Sequence, residues 1–155
     1  EMFKAAAGID MQHVPYKGGP AALTDLVGGQ VDVMFETMIA TLPLVKGGKL
    51  RALAVSSANR ASAVPELPTI SESGYPGFTG VPWVAMAAPV RTPKAIVASL
   101  NADINRILSS AEVRESFIAQ GSEPLVMSLE QMDEFVKTET LKWGRAVKAS
   151  GAKVD

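Results

Sequence analysis

Few side chains in this sequence can do covalent chemistry. His13 is the only histidine, and the chain has no cysteine. A zinc site of the usual kind needs several such ligands, so none is expected. A Ser-His-Asp triad would have to use His13, and no nucleophile-elbow pattern accompanies it. A lone histidine in a strand reads as structural. Ser150-Gly151-Ala152-Lys153 fits S-x-x-K, but only as a chance match near the end of the sequence. The carboxylates are scattered. Asp32 and Glu36 flank a predicted strand end, where an open α/β sheet places its ligand crevice. Asp32 reads as a turn former. Glu36 reads equally as a functional acid and as a surface one.

The strongest local signal is Val14-Pro15-Tyr16-Lys17-Gly18-Gly19-Pro20-Ala21-Ala22-Leu23. It reads as a strand, a glycine pair and a helix start. Glycines let a ligand approach the backbone closely. The first amides of a helix lack internal partners and point outward. Pro20 removes one donor and leaves Gly19, Ala21 and Ala22. With the helix dipole they offer an anion a site worth about 0.3–1 kcal/mol per charge, and up to about 2 when partly buried. The segment has no G-K-[ST] and does not fit G-x-G-x-x-G, so it is not a known nucleotide loop. A plain strand-to-helix turn is the competing reading. Lys17 adds charge if it faces the site. Tyr16 and Trp83 are candidates for a cleft wall, and equally for core or rim.

The elements that would carry these residues follow from pattern. Glu1–Gly8 reads as the end of a helix closed by glycine, which predicts further sequence upstream. Strands are expected at 9–14, 31–35 and 50–55, where apolar residues alternate or cluster. Helices are expected at Pro20–Val27, closed by Gly28-Gly29, and at Thr41–Lys46, closed by Gly47-Gly48. Thr69–Ser73 predicts a helical turn stopped by Gly74. Val81–Ala88 predicts a buried strand. Thr92 as N-cap and Pro93 at N1 open a helix with Ile96, Val97, Leu100, Ile104, Ile107 and Leu108 on one stripe. A second helix runs Ala111–Gln120, ended by Gly121, with a short strand at 123–127. Ser128-Leu129-Glu130-Gln131 fits a capping box. It opens a long helix with Met132, Phe135, Val136, Trp143 and Val147 inward, ending near Gly151. Ten of the 13 glycines lie in residues 1–80, so the first part is turn-rich and the second helix-rich. The β-α-β-α-β rhythm predicts an α/β fold with a mostly parallel sheet and flanking helices.

Composition sets outer bounds. The 155 residues carry 15 Lys+Arg against 16 Asp+Glu, a net charge of −1, which gives no electrostatic footprint for nucleic acid or anionic lipid. No stretch approaches the ~20 apolar residues of a membrane span.

Several ordered segments together resemble the solute receptors of tripartite tricarboxylate transporters, the Bug-type family. They are Val14 to Leu23, Gly29-Gln30-Val31-Asp32-Val33-Met34-Phe35, Lys49 to Val55, Pro65 to Gly77, and Ala88-Pro89 with Thr92-Pro93-Lys94. The similarity runs in order over essentially the whole chain. It implies a type II periplasmic-binding-protein fold of two α/β lobes with a small carboxylate between them. It also implies no catalytic residue, no cofactor and no metal. By the resemblance, residues 1–80 are the second, ligand-binding lobe lacking its start. Residues 81–155 are a crossing strand and the C-terminal part of the first lobe. Such a chain corresponds to the C-terminal half to two-thirds of a receptor. The resemblance places a ligand carboxylate against the loop Tyr16, Lys17, Gly18, Gly19, Pro20, Ala21 and Ala22. Phe35, Glu36 and Thr37 line the same cleft at the end of the neighbouring strand, and Trp83 is a further wall. Many relatives carry aspartate where this chain has Glu36, and the longer acid implies a shifted or narrowed pocket. The implied partners are a di- or tricarboxylate-like ligand and the membrane components of the transporter. The implied location is the bacterial periplasm.

Two other readings compete. One is an α/β enzyme acting on a small anion, with Glu36 or His13 as base. The other is a truncated receptor that has no binding activity of its own.

Overall fold

The computed structural model describes residues 1–151. Ala152 and Lys153 of the S-x-x-K match therefore lie outside the described residues. Six helices appear in order: α1 Met2–Ala7, α2 Gly19–Val27, α3 Met38–Lys46, α4 Lys94–Leu108, α5 Ala111–Ala119 and α6 Leu129–Ser150. The chain divides into two compact units. One holds Glu1–Gly8, Trp83–Ser116 and the residues from Pro124 on; the other holds Ile9–Pro82 and Phe117–Glu123.

Helix ends follow the sequence reading closely. Gly29, Gly48 and Gly121 stand at φ 72°, 68° and 84°, and each closes its helix with a paired set of backbone bonds. After α5, the Gly121 N–H donates to the Ile118 carbonyl at 2.9 Å and the Ser122 N–H to that of Phe117 at 2.9 Å. This is the Schellman arrangement, which satisfies the last carbonyls of a helix. Helix starts are less regular. α3 begins three residues before the expected Thr41, because Pro43, a residue suited to a first turn, sits inside the helix. α4 begins at Lys94 with Pro93 as its N-cap at ψ 135°, so Thr92 lies one residue outside and makes no side-chain cap.

The capping box of α6 forms in full. Ser128 Oγ accepts from the Gln131 N–H at 3.2 Å, and Gln131 Oε1 accepts from the Ser128 N–H at 2.8 Å. Ser128→Ala should therefore cost about 1 kcal/mol in urea unfolding of the unit that holds α6. A loss within error would show that the cap is not supporting the helix.

The strands are where the expectations need correction. Among the described residues, no two extended segments form a ladder. One isolated parallel bridge joins Val55 and Thr69. There the Val55 N–H donates to the Pro68 carbonyl at 2.9 Å and the Ile70 N–H to that of Val55 at 2.9 Å. The segments at 9–14, 31–35 and 123–127 join no ladder, and the chain bends at Val31-Asp32. Met127 finds a substitute partner in α4. Asn105 receives the Met127 N–H at 3.3 Å and donates to its carbonyl at 2.8 Å, and Asn101 donates to the same carbonyl at 3.1 Å. Two side-chain amides thus do for one residue what a neighbouring strand would do. The expected buried strand at 81–88 is exposed throughout, with Val84 fully open to solvent. Ile96, Leu100 and Ile107 of the α4 stripe and Val147 of α6 are exposed as well. The apolar pattern is present, but no element covers it among the described residues.

The unit of residues 9–82 and 117–123 holds the apolar core. Leu42, Val55 and Val64 are buried together, with Met38, Ala61, Ala63 and Leu67 packed against them. Thr69, the most buried residue at 1% exposure, closes the turn beside this core. Its N–H donates to Glu72 Oε2 at 2.7 Å, and its Oγ1 accepts from the Glu72 N–H at 3.0 Å. The predicted turn at Thr69–Ser73 is thus a reciprocal cap without a following helix. The Thr69 amide, and then the Arg60 guanidinium, hold the Glu72 carboxyl below the usual range.

Candidate functional site

The glycine-pair turn and the end of the next extended segment meet within one unit. α2 begins at Gly19, with Gly18 as an N-cap in extended backbone at φ 164° and ψ 159°. The start lies one residue earlier than expected. This makes Gly18, Gly19 and Ala21 the first-turn amides that a helix leaves without internal partners, Pro20 having none. Ala22 is buried at 7% exposure and faces the interior, whereas Lys17, Pro20 and Ala21 are exposed.

Glu36 stands at this helix start. Its Oε1 accepts from the Thr37 N–H at 2.7 Å, and Thr37 is the N-cap of α3. Its Oε2 lies 2.5 Å from where a Cβ on Gly19 would stand. The carboxylate thus takes the amide at the α3 N-cap and lies against the first turn of α2 at Gly19. Gly19 has no room for a side chain unless Glu36 moves. Gly18 differs, because a Cβ there would meet only the Pro20 Cδ at 3.8 Å.

Tyr16 is anchored to the same helix. Its hydroxyl donates to Asp25 Oδ2 at 2.7 Å. The hydrogen bond to Asp25, with burial and the aspartate charge behind it, pushes the Tyr16 phenol above its ordinary pKa. A raised folded value means the stabilising effect is present below the ordinary tyrosine range and lost as pH rises through the folded value. The difference between alkaline absorbance titrations of the wild type and Tyr16→Phe should therefore show a late tyrosinate step. Asp25→Asn should move that step down, and an unmoved step would show that the bond is absent in solution.

The remaining predicted residues divide. Phe35 is more than half exposed, while Thr37 is half-buried in the Glu36 contact. Trp83 belongs to the other unit. Its ring meets Phe135 edge-on at 5.4 Å. His13 and Asp32 are exposed and join no cluster. Among the described residues no group of three or more His, Cys, Asp or Glu is placed to hold a metal ion.

Two contributors were not legible as site residues. Asp25 holds Tyr16. Gly121 packs against the first residue of α3: a Cβ there would stand 2.7 Å from the Met38 Cβ and 3.2 Å from its carbonyl carbon. The sequence marked Gly121 only as a helix stop.

The fold is that of the periplasmic binding proteins, in partial form. R. palustris Rpa4515 with adipate matches at TM-score 0.87 and 35% identity, over 97% of this chain and 50% of that one. The periplasmic binding protein BugD matches at TM-score 0.79 and 34% identity, over 98% of this chain and 52% of that one. The chain belongs to the family described as "Tripartite tricarboxylate transporter family receptor", which it matches over residues 1–152. Protein BugT of Bordetella pertussis is 40% identical over 154 residues, 99% of this chain and 47% of BugT. The chain thus spans about half the length of BugT and of the two solved relatives.

Proposed function

We propose that this chain carries part of an extracytoplasmic receptor that captures a small di- or tricarboxylate for a tripartite tricarboxylate transporter. The receptor acts in the periplasm, hands its ligand to membrane components of the transporter and performs no turnover. The family match over residues 1–152 carries this reading, supported by the adipate of Rpa4515. No helix among the described residues is long and apolar enough to cross a membrane. In this reading Tyr16–Ala22 and Phe35–Thr37 form one side of the ligand site, and a ligand carboxylate takes the amides of Gly18, Gly19 and Ala21.

The 155-residue chain itself is the material for the test. Amide NMR shifts should saturate at Gly18, Gly19, Ala21 and Thr37 on titration with adipate or succinate, with the ligand recovered unchanged. One set of helix amides supplies only a few kcal/mol, so the affinity should be about millimolar or weaker. Micromolar affinity would overturn the one-sided site. Conversion of the ligand would overturn the receptor reading, as would an absence of shifts at these amides. Gly18→Val should weaken binding while leaving the spectrum elsewhere unchanged, because the structure has room for its side chain but an approaching carboxylate does not.

A further inference from the structure

The carboxylate-binding reading leaves one group unaccounted for. The turn proposed to receive a ligand carboxylate already faces a carboxylate of its own chain. Glu36 reaches from the N-cap of α3 to the first turn of α2, with one oxygen on the Thr37 amide and the other beside Gly19. The space it fills is the one that the missing Gly19 side chain leaves open. Glu36 is only partly buried.

We propose that Glu36 is an internal competitor for the site: its carboxylate stands against the first turn of α2, where a ligand carboxylate would dock, and so sets affinity. The inference rests on the carboxylate reading above and deepens it. Two carboxylates cannot share one helix N-terminus without strong like-charge repulsion. A ligand must therefore pay for the outward swing of Glu36 or bind beside an uncompensated charge. The length of the acid is what allows the competition. An aspartate at position 36 is one methylene shorter, so its carboxylate would fall back from Gly19 while keeping its charge.

The test titrates succinate into the wild-type chain, Glu36→Gln and Glu36→Asp, reading the amides of Gly18, Gly19 and Ala21. Glutamine has the same shape and keeps an oxygen for the Thr37 amide, and unchanged amide positions outside the site confirm that each variant folds. Glu36→Gln should bind succinate about three- to thirtyfold more tightly than the wild type, the range expected from removing a charge at a helix N-terminus. Glu36→Asp should fall between the two. If the wild type binds succinate but Glu36→Gln is within about twofold of it or weaker, the competitor role is overturned and the receptor reading stands. If neither the wild type nor any variant responds at these amides, the receptor reading itself fails and takes the inference with it.

Discussion

Gly121→Ala should destabilise the unit that holds the candidate site by about 2–5 kcal/mol. Two separate causes add. At φ 84° an L-residue is held in left-handed backbone, which costs about 1–2 kcal/mol. The new methyl would also stand 2.7 Å from the Met38 Cβ and 3.2 Å from its carbonyl carbon, neither of which is the far end of a flexible side chain. Overpacking of that kind costs about 1–3 kcal/mol. Gly74→Ala separates the causes, because Gly74 is at φ 105° with nothing within 4 Å of the added atom. Urea unfolding should show Gly74→Ala losing only the backbone part and Gly121→Ala distinctly more. Equal losses would show that the Met38 contact is not formed in solution. Met38 opens α3 directly after Thr37, so Gly121→Ala should also shift the Thr37 and Gly19 amides in the folded state, whereas Gly74→Ala should not. Gly121 is in this sense a positioning residue for the Glu36 contact.

What the sequence made legible follows the range of the interaction. Helix ends were readable because glycine conformation and capping are local: Gly29, Gly48 and the Ser128–Gln131 box are settled within a few residues. Helix starts were less so: α2 and α4 begin one residue from the expected position, and α3 three residues before it. Strands were not readable as pairs. Alternation tells which face of a segment is apolar, but a ladder needs a second backbone in register. At 81–88 the pattern of a buried strand is plain, yet Val84 is fully exposed and no partner lies among the described residues. The pattern marks a face suited to burial and leaves the covering element unnamed. The turn at Gly18-Gly19 was legible for the same local reason as the helix ends. Its occupation by Glu36 was not, because the two meet only through the packing of α2 beside α3. Family likeness placed both residues at one cleft and implied that the longer acid narrows it. The coordinates give that extra length a place, over Gly19.

Glu139→Ala should cost about 2–4 kcal/mol at neutral pH and much less in acid. Glu139 is the one buried residue of its unit among the described residues, at 8% exposure. Its Oε1 accepts from Lys142 Nζ at 2.6 Å and its Oε2 from Trp143 Nε1 at 2.8 Å. Burial opposes the charge, but the hydrogen bonds from Lys142 and Trp143 outweigh it and hold the carboxyl below its ordinary pKa. The sign follows from that direction. A lowered folded value means the stabilisation is complete above the ordinary glutamate range and is lost as pH falls through the folded value. Unfolding curves of the wild type and Glu139→Ala should therefore lie far apart at pH 7 and converge in strong acid. Trp83 and Trp143 are the only tryptophans, so fluorescence reports this cluster directly. With the carboxylate gone, the Trp143 indole N–H must turn to solvent, and emission should shift to longer wavelength in the folded variant. Glu139→Gln keeps one acceptor and should lie between the two proteins. A wild type whose stability is flat through the acid range, or a variant with unchanged emission, would show that the carboxylate does not hold the Lys142 and Trp143 side chains in solution.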